Sequence, residues 1–136
     1  MGALKDGMTE IVLDKPRKLL FDLNVIEALN SEYGGYDKLG EILNEKNPGY
    51  IKDLKHIMAL LMNEAAEYQN IAAGKEVEPI ISEKFVGMLF NPSLLVSGDA
   101  TAAIFKAFNT GTTGNTELPE DYDENPKKAA TEQSLT

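Results

Sequence analysis

The sequence predicts a mainly α protein of the α+β kind: an N-terminal β-hairpin, a compact bundle of about five helices and a disordered acidic C-terminal tail. Three observations carry that prediction. Two short apolar runs flank a turn-like Asp-Lys-Pro segment near the start, apolar residues recur at steps of three and four from Ile51 to Ala72, and large apolar groups nearly vanish after Asn109. Of the 136 residues, 43% are hydrophobic and 26% charged, so a body of about 100 residues can bury a core without covalent staples. The expected division is one globular domain, residues 1–108, with the hairpin near 9–22 and the helices across 25–108, followed by a flexible tail, 109–136.

Taken in order, Ile11-Val12-Leu13 and Leu19-Leu20-Phe21 read as strands joined by Asp14-Lys15-Pro16-Arg17-Lys18, where the proline sits at a position that needs no ladder donor. Two strands alone are marginal in water, so the hairpin must lie on something else. From Asn24 the period becomes helical: Ile26, Leu29 and Tyr33 share a face, Asp22 or Asn24 caps the start and Gly34-Gly35 ends it. Residues 36–44 read as a second short helix, after which Asn47 caps and Pro48 opens a long one. Ile51, Leu54, Met58, Leu61, Ala65, Tyr68 and Ala72 make its apolar face, with Lys52, Lys55, Asn63, Glu67 and Asn70 largely opposite and Gly74 closing it. Ser82 caps a short helix carrying Phe85, Met88 and Leu89 that stops at Asn91-Pro92, and a final alanine-rich helix runs from Asp99 to Phe108. The run Thr110-Gly111-Thr112-Thr113-Gly114 then reads as a linker.

Composition narrows the functions open to such a chain. There are 13 basic and 22 acidic residues, for a net charge of −9. The tail holds six acids against Lys127 and Lys128, a share of −4, which leaves −5 on the body. A duplex-binding protein needs a clustered cationic face for the phosphates, so nucleic acid is not expected as a partner. Without cysteine there is no disulfide framework, thiol nucleophile or thiolate metal site. The longest apolar stretch, residues 57–62, is too short to span a bilayer, and the first ten residues lack the apolar run of a signal peptide. A cytoplasmic protein with no membrane attachment is the simplest reading.

Candidate chemical sites are few. His56 has no second histidine or cysteine with which to build a zinc site. Glu64 and Glu67 form an i, i+3 pair, but a di-metal bundle also requires Glu-x-x-His pairs on other helices. Asp121, Asp123, Asn125 and Glu132 match calcium-loop positions, although Pro126 stands where the sharp turn demands glycine. No Ser lies in a Gly-x-Ser-x-Gly turn. No enzyme activity, cofactor or metal is expected. Lys15, Arg17 and Lys18 make a small basic tip on the hairpin. What remains is the apolar 85–108 region, whose large side chains either all complete the core or, where two short helices leave a remainder uncovered, mark a groove for a partner helix. Phe85, Met88, Leu94, Leu95, Phe105 and Phe108 are the candidate partner-binding residues, with the last two foremost.

One stretch carries a resemblance. Lys18-Leu19-Leu20-Phe21-Asp22-Leu23-Asn24, leading into Val25-Ile26-Glu27-Ala28-Leu29 and Glu32-Tyr33-Gly34-Gly35, resembles the strand, Phe-Asp-x-Asn, helix, Glu-x-x-Gly opening of the tail assembly chaperones of long-tailed phages and prophages. The helix over 51–73 and the segment 78–89 are similar to those that follow in that family, so the likeness covers residues 9–108. The turn departs from it, since Lys15-Pro16-Arg17 replaces the usual glycine-containing turn. The resemblance implies a small helical protein of the host cytoplasm, without catalytic residues and absent from the mature virion. Such a protein binds the tape measure protein and keeps it soluble while the tail tube assembles, with the tail tube protein open as a second partner. It also implies that a frameshifted, C-terminally extended form is often made. Two other readings stand beside it: a structural head–tail or tail component of the phage, and a small cytoplasmic regulatory adaptor.

Overall fold

In the computed structural model, residues 8–113 are described. The calcium-like positions 121–132 and the acidic tail from residue 114 onward lie outside them. The chain opens with β1 (Met8–Val12) and β2 (Pro16–Leu20), antiparallel, with Met8 opposite Leu20 and Val12 opposite Pro16. Both strands begin three residues before the predicted ones, and the connection shrinks to residues 13–15. Two hydrogen bonds of 2.8 Å from the Arg17 guanidinium to the Asp14 carboxylate close the corner. Arg17 and Lys18 are thereby released to the ladder, and Pro16 takes its last rung, where no donor is required. Met8, Thr9, Leu19 and Leu20 are all buried, so the ribbon is covered on both faces at its base.

Helix α1 (Leu23–Tyr33) starts where the Asp22 side chain accepts from the Val25 amide at 3.1 Å. It ends at Gly34, whose φ of 85° is the left-handed conformation that a C-terminal cap uses. The predicted helix over 36–44 divides into a 3₁₀ turn, Tyr36–Lys38, and the short α2 (Leu39–Ile42). Then comes α3 (Tyr50–Ala73), closed by Gly74 at φ 74°. Asn47 does not cap it, and Pro48 lies outside it; Gly49 occupies the cap position. Instead Asn47 ties α2 to α3, donating to the Ile42 carbonyl at 2.7 Å and to Asp53 at 3.2 Å while accepting from the Gly49 amide. The other Asp53 oxygen accepts from the Tyr33 hydroxyl at 3.2 Å, which brings α1 to the same point.

The middle of α3 is buried more widely than its apolar spacing predicts. Ile57 and Met62 are inside together with Leu54, Met58, Leu61 and Ala65, whereas Ile51, Tyr68 and Ala72, at the two ends, are exposed. The reason is that β2, α1, α4 and α6 all pack on its centre.

Three helices complete the body: α4 (Glu83–Leu89), α5 (Pro92–Val96) and α6 (Asp99–Thr113). α5 falls where the sequence suggested only a stop. The Asn91 side chain accepts from the Ser93 amide at 3.0 Å and Pro92 sits in the first turn, so the same dipeptide that ends one helix begins another. α6 runs past Phe108 through residues read as a linker. Phe108 stands edge-on to Phe21, ring centroids 5.1 Å apart, and Thr110 is buried. The Thr112 and Thr113 hydroxyls donate to the carbonyls of Phe108 and Asn109 at 2.9 and 2.7 Å, so a polar, loop-like composition is held helical by what it packs on. A side chain on Gly111 would collide with the Phe21 carbonyl oxygen and come within 2.9 Å of its Cβ. Gly111→Ala is therefore expected to lower stability by about 1–3 kcal/mol through overpacking, read as a lower denaturant midpoint. Gly40→Ala, in α2 with nothing within 4 Å of its added carbon, should cost nothing and gain up to about 1 kcal/mol.

Candidate functional site: an apolar groove

The helices that cover α3 leave a gap beside its N-terminal half. Ile51, Leu54, Lys55 and Met58 of α3 form its floor, at positions that share one helical face. Val86, Gly87 and Phe90 from α4 and its end make one wall, and Pro92, Leu95 and Ala100 the other. The groove encloses about 340 Å³, and apart from Lys55 and Asn91 its lining carries no polar side chain. A second recess under the hairpin, lined in part by Arg17, Asn63 and Glu78, has a volume of about 30 Å³, room for roughly one water molecule.

Polar side chains on α3 fix the walls. The link from α3 to α4 has no regular structure, so its backbone groups need partners from elsewhere. Asn63 supplies both kinds to Ile81, donating to its carbonyl at 2.9 Å and accepting from its amide at 3.0 Å. Asn70 does the same for Val77 and Glu78. Ser82 then caps α4 through the Phe85 amide. His56 lies between Glu83 of α4 and Glu32 of α1, its two ring nitrogens 2.5 and 2.6 Å from their carboxylates. Across the groove, the Tyr50 and Thr101 hydroxyls meet at 3.2 Å and join the starts of α3 and α6.

Of the six residues expected to bind a partner, Leu95 lines the groove and the other five do not. Phe85, 40% exposed, lies under the Arg17 guanidinium at 5.9 Å, and Met88 is 67% exposed on α4. Leu94 is half-buried, and Phe105 and Phe108 pack against the core. The basic tip is consumed locally: Lys15 pairs with Glu78 at 3.2 Å, Arg17 with Asp14 and Lys18 with Glu10 at 3.5 Å. Sequence reasoning placed Leu54 and Met58 in the core stripe and Lys55 on a solvated face. The signals that could have found the groove were an isoleucine at the outer end of that stripe and a glycine inside the seven-residue α4.

The charges are poised around these contacts. Arg17 holds the exposed Asp14 carboxyl at about 2. Burial and the nearby Asp53 carboxylate push the Tyr33 phenol above its usual range. Burial alone would lower the His56 value, but its hydrogen bonds to Glu83 and Glu32 outweigh that and raise it. Glu64 is raised from 4.5 to about 7, first by burial and then by its contact with Asp22, against the Asn24 amide that donates to it at 2.8 Å. Among the described residues no group of three or more acidic or imidazole side chains is arranged to hold a metal ion, and no helix is long and apolar enough to cross a membrane. Comparison with known proteins found no matching family model, curated protein or solved structure.

The polar contacts set three expectations. Asn63→Ala strands an amide and a carbonyl at Ile81 and should cost about 1–3 kcal/mol, with faster hydrogen exchange across residues 78–86. Glu64 has a folded value above its unfolded one, so its contribution is complete below pH 4.5 and lost as the pH rises through about 7. Glu64→Gln should accordingly flatten the profile of stability against pH over that window and raise stability above it, by no more than about 1 kcal/mol for a group only half-buried. His56, raised above 6.5, loses its contribution on the alkaline side of that value, a loss that His56→Gln should abolish.

Proposed function

We propose that this chain is a non-enzymatic tail assembly chaperone of a long-tailed phage or prophage. In the cytoplasm of the host it would bind the tape measure protein and keep it soluble while the tail tube assembles. The observation that carries the reading is the open apolar groove on a small helical body. Support comes also from the segment that bears the resemblance, because each of its defining side chains has work to do. Phe21 is buried in the core and meets Phe108, Asp22 caps α1, and Asn24 reaches across to Glu64 on α3. A motif whose residues set the junction of strand, helix and central helix marks a fold, and the fold presents the groove. The acidic balance of the chain adds mutual repulsion, which keeps complexes with an aggregation-prone partner dispersed.

The reading makes three linked predictions. A tape measure gene lies immediately downstream of this one. That tape measure protein, insoluble when made alone, becomes soluble on co-expression and is captured with this chain. Mass spectrometry of purified particles does not find the chain. Its presence there in stoichiometric amount would make it a structural tail component, and a tape measure protein that stays insoluble in its company would refute the chaperone role.

A further inference from the structure

Apart from Asn91, whose side chain caps α5, the groove is apolar except at one point, and that point is a cation. Lys55 projects from α3 beside Leu54 and Met58, and its stem crosses α4 at Gly87: a Cβ on that glycine would lie 2.9 Å from the Lys55 Cδ and 3.9 Å from its Nζ. Glycine inside a helix costs about 1 kcal/mol relative to alanine, and here its bareness is what lets the lysine pass. The ammonium has no hydrogen bond or ion pair with any described residue. Lys52, one turn earlier on α3, and Lys84, one turn before Gly87 on α4, have none either. The acid nearest to them on α4, Glu83, is engaged by His56. No acid lines the groove, although the chain as a whole carries 22 acids against 13 bases.

The walls also say what shape fits. They are helices and a helix end, built of side chains, and no strand edge borders the groove. An extended peptide would find no main-chain partners there, whereas a helix brings its own backbone hydrogen bonds and needs only a place for one face. A volume of about 340 Å³ takes the side chains of such a face and leaves the helix axis outside.

We infer that the groove receives one amphipathic helix of a partner protein, whose apolar residues at helical spacing enter between α3, α4 and α5 and whose flanking carboxylate pairs with Lys55. The inference deepens the chaperone reading and rests on it for the occupant being a protein helix. It makes the site selective, because a basic amphipathic helix of equal apolarity meets an ammonium of like charge across a low-dielectric groove.

The test uses the full chain, isotope-labelled for NMR, and two synthetic helical peptides with the same leucine face, one flanked by glutamates and the other by lysines. The glutamate peptide is expected to shift the signals of Leu54, Lys55, Gly87, Phe90 and Leu95, and to bind roughly tenfold or more tightly than the lysine peptide. Lys55→Glu should reverse the preference. Lys55→Met, which keeps the stem over Gly87, should abolish the preference while leaving the apolar contacts. Shifts elsewhere, no binding of the glutamate peptide, or a preference indifferent to Lys55 would each overturn the inference. So would dodecanoate moving the same signals at lower concentration than the peptide, which would make the groove a lipid site. Groove shifts that depend on protein concentration alone would assign it to a second copy, and Overhauser contacts from Leu118 or Tyr122 to Phe90 would assign it to this chain's own tail; both overturn it too. Failure of the tape measure protein to bind, with peptide selectivity intact, would refute the chaperone reading and leave the groove's preference standing.

Discussion

The structure depends on the middle of α3 being covered from several sides at once. A helix buried on one face needs one neighbour; this one has β2, α1, α4 and α6 packed around its central turns, and Ile57, Met58 and Leu61 have no exposed surface. Covering it that way makes the hairpin possible too, since a two-stranded ribbon has no independent stability and this one is buried at its base from both sides. It also dictates what the polar residues of α3 can do. Where α3 meets its neighbours, a polar side chain must be satisfied by one of them. Asn63 and Asn70 take the backbone of the following link, and His56 takes the carboxylates of two helices.

That account explains which parts of the fold were legible in the sequence. The three-and-four spacing of α3, the Asp22 and Ser82 caps and the stops at Gly34 and Gly74 are local signals, and the structure follows them. The tertiary assignments were not local. Asn47, Asn63 and Asn70 look like a cap and two solvated residues until the segments they hold are folded against them. Gly111 and Thr110 sit in a stretch whose composition is that of a linker, yet contact with Phe21 keeps it helical. The strand offset has the same origin: the Asp14–Arg17 pair shortens the turn, and neither residue alone announces that. At the groove, Leu95 was among the residues anticipated, whereas Ile51, Leu54 and Met58 were credited to the core because a stripe of apolar residues does not reveal where its cover ends.

The groove and the polar contacts are parts of one arrangement. α4 has only seven residues, too short to persist by itself, and it is held by Val86 in the core, by Asn63 through Ile81 and by His56 through Glu83. This wall of the groove is thus an element of little intrinsic stability, anchored at points that lie behind it. Such a wall can adjust without disturbing the centre of α3.

The close approach of Gly111 to Phe21 has a consequence of another kind. α6 starts with Ala100 in the groove and finishes locked against the hairpin, so it is a rigid spacer of about 16 Å between the two. Thr113, the last residue described, therefore lies at the hairpin end of the body. The body is in effect directional like an arrow, with the groove at one end and the last described residue at the other.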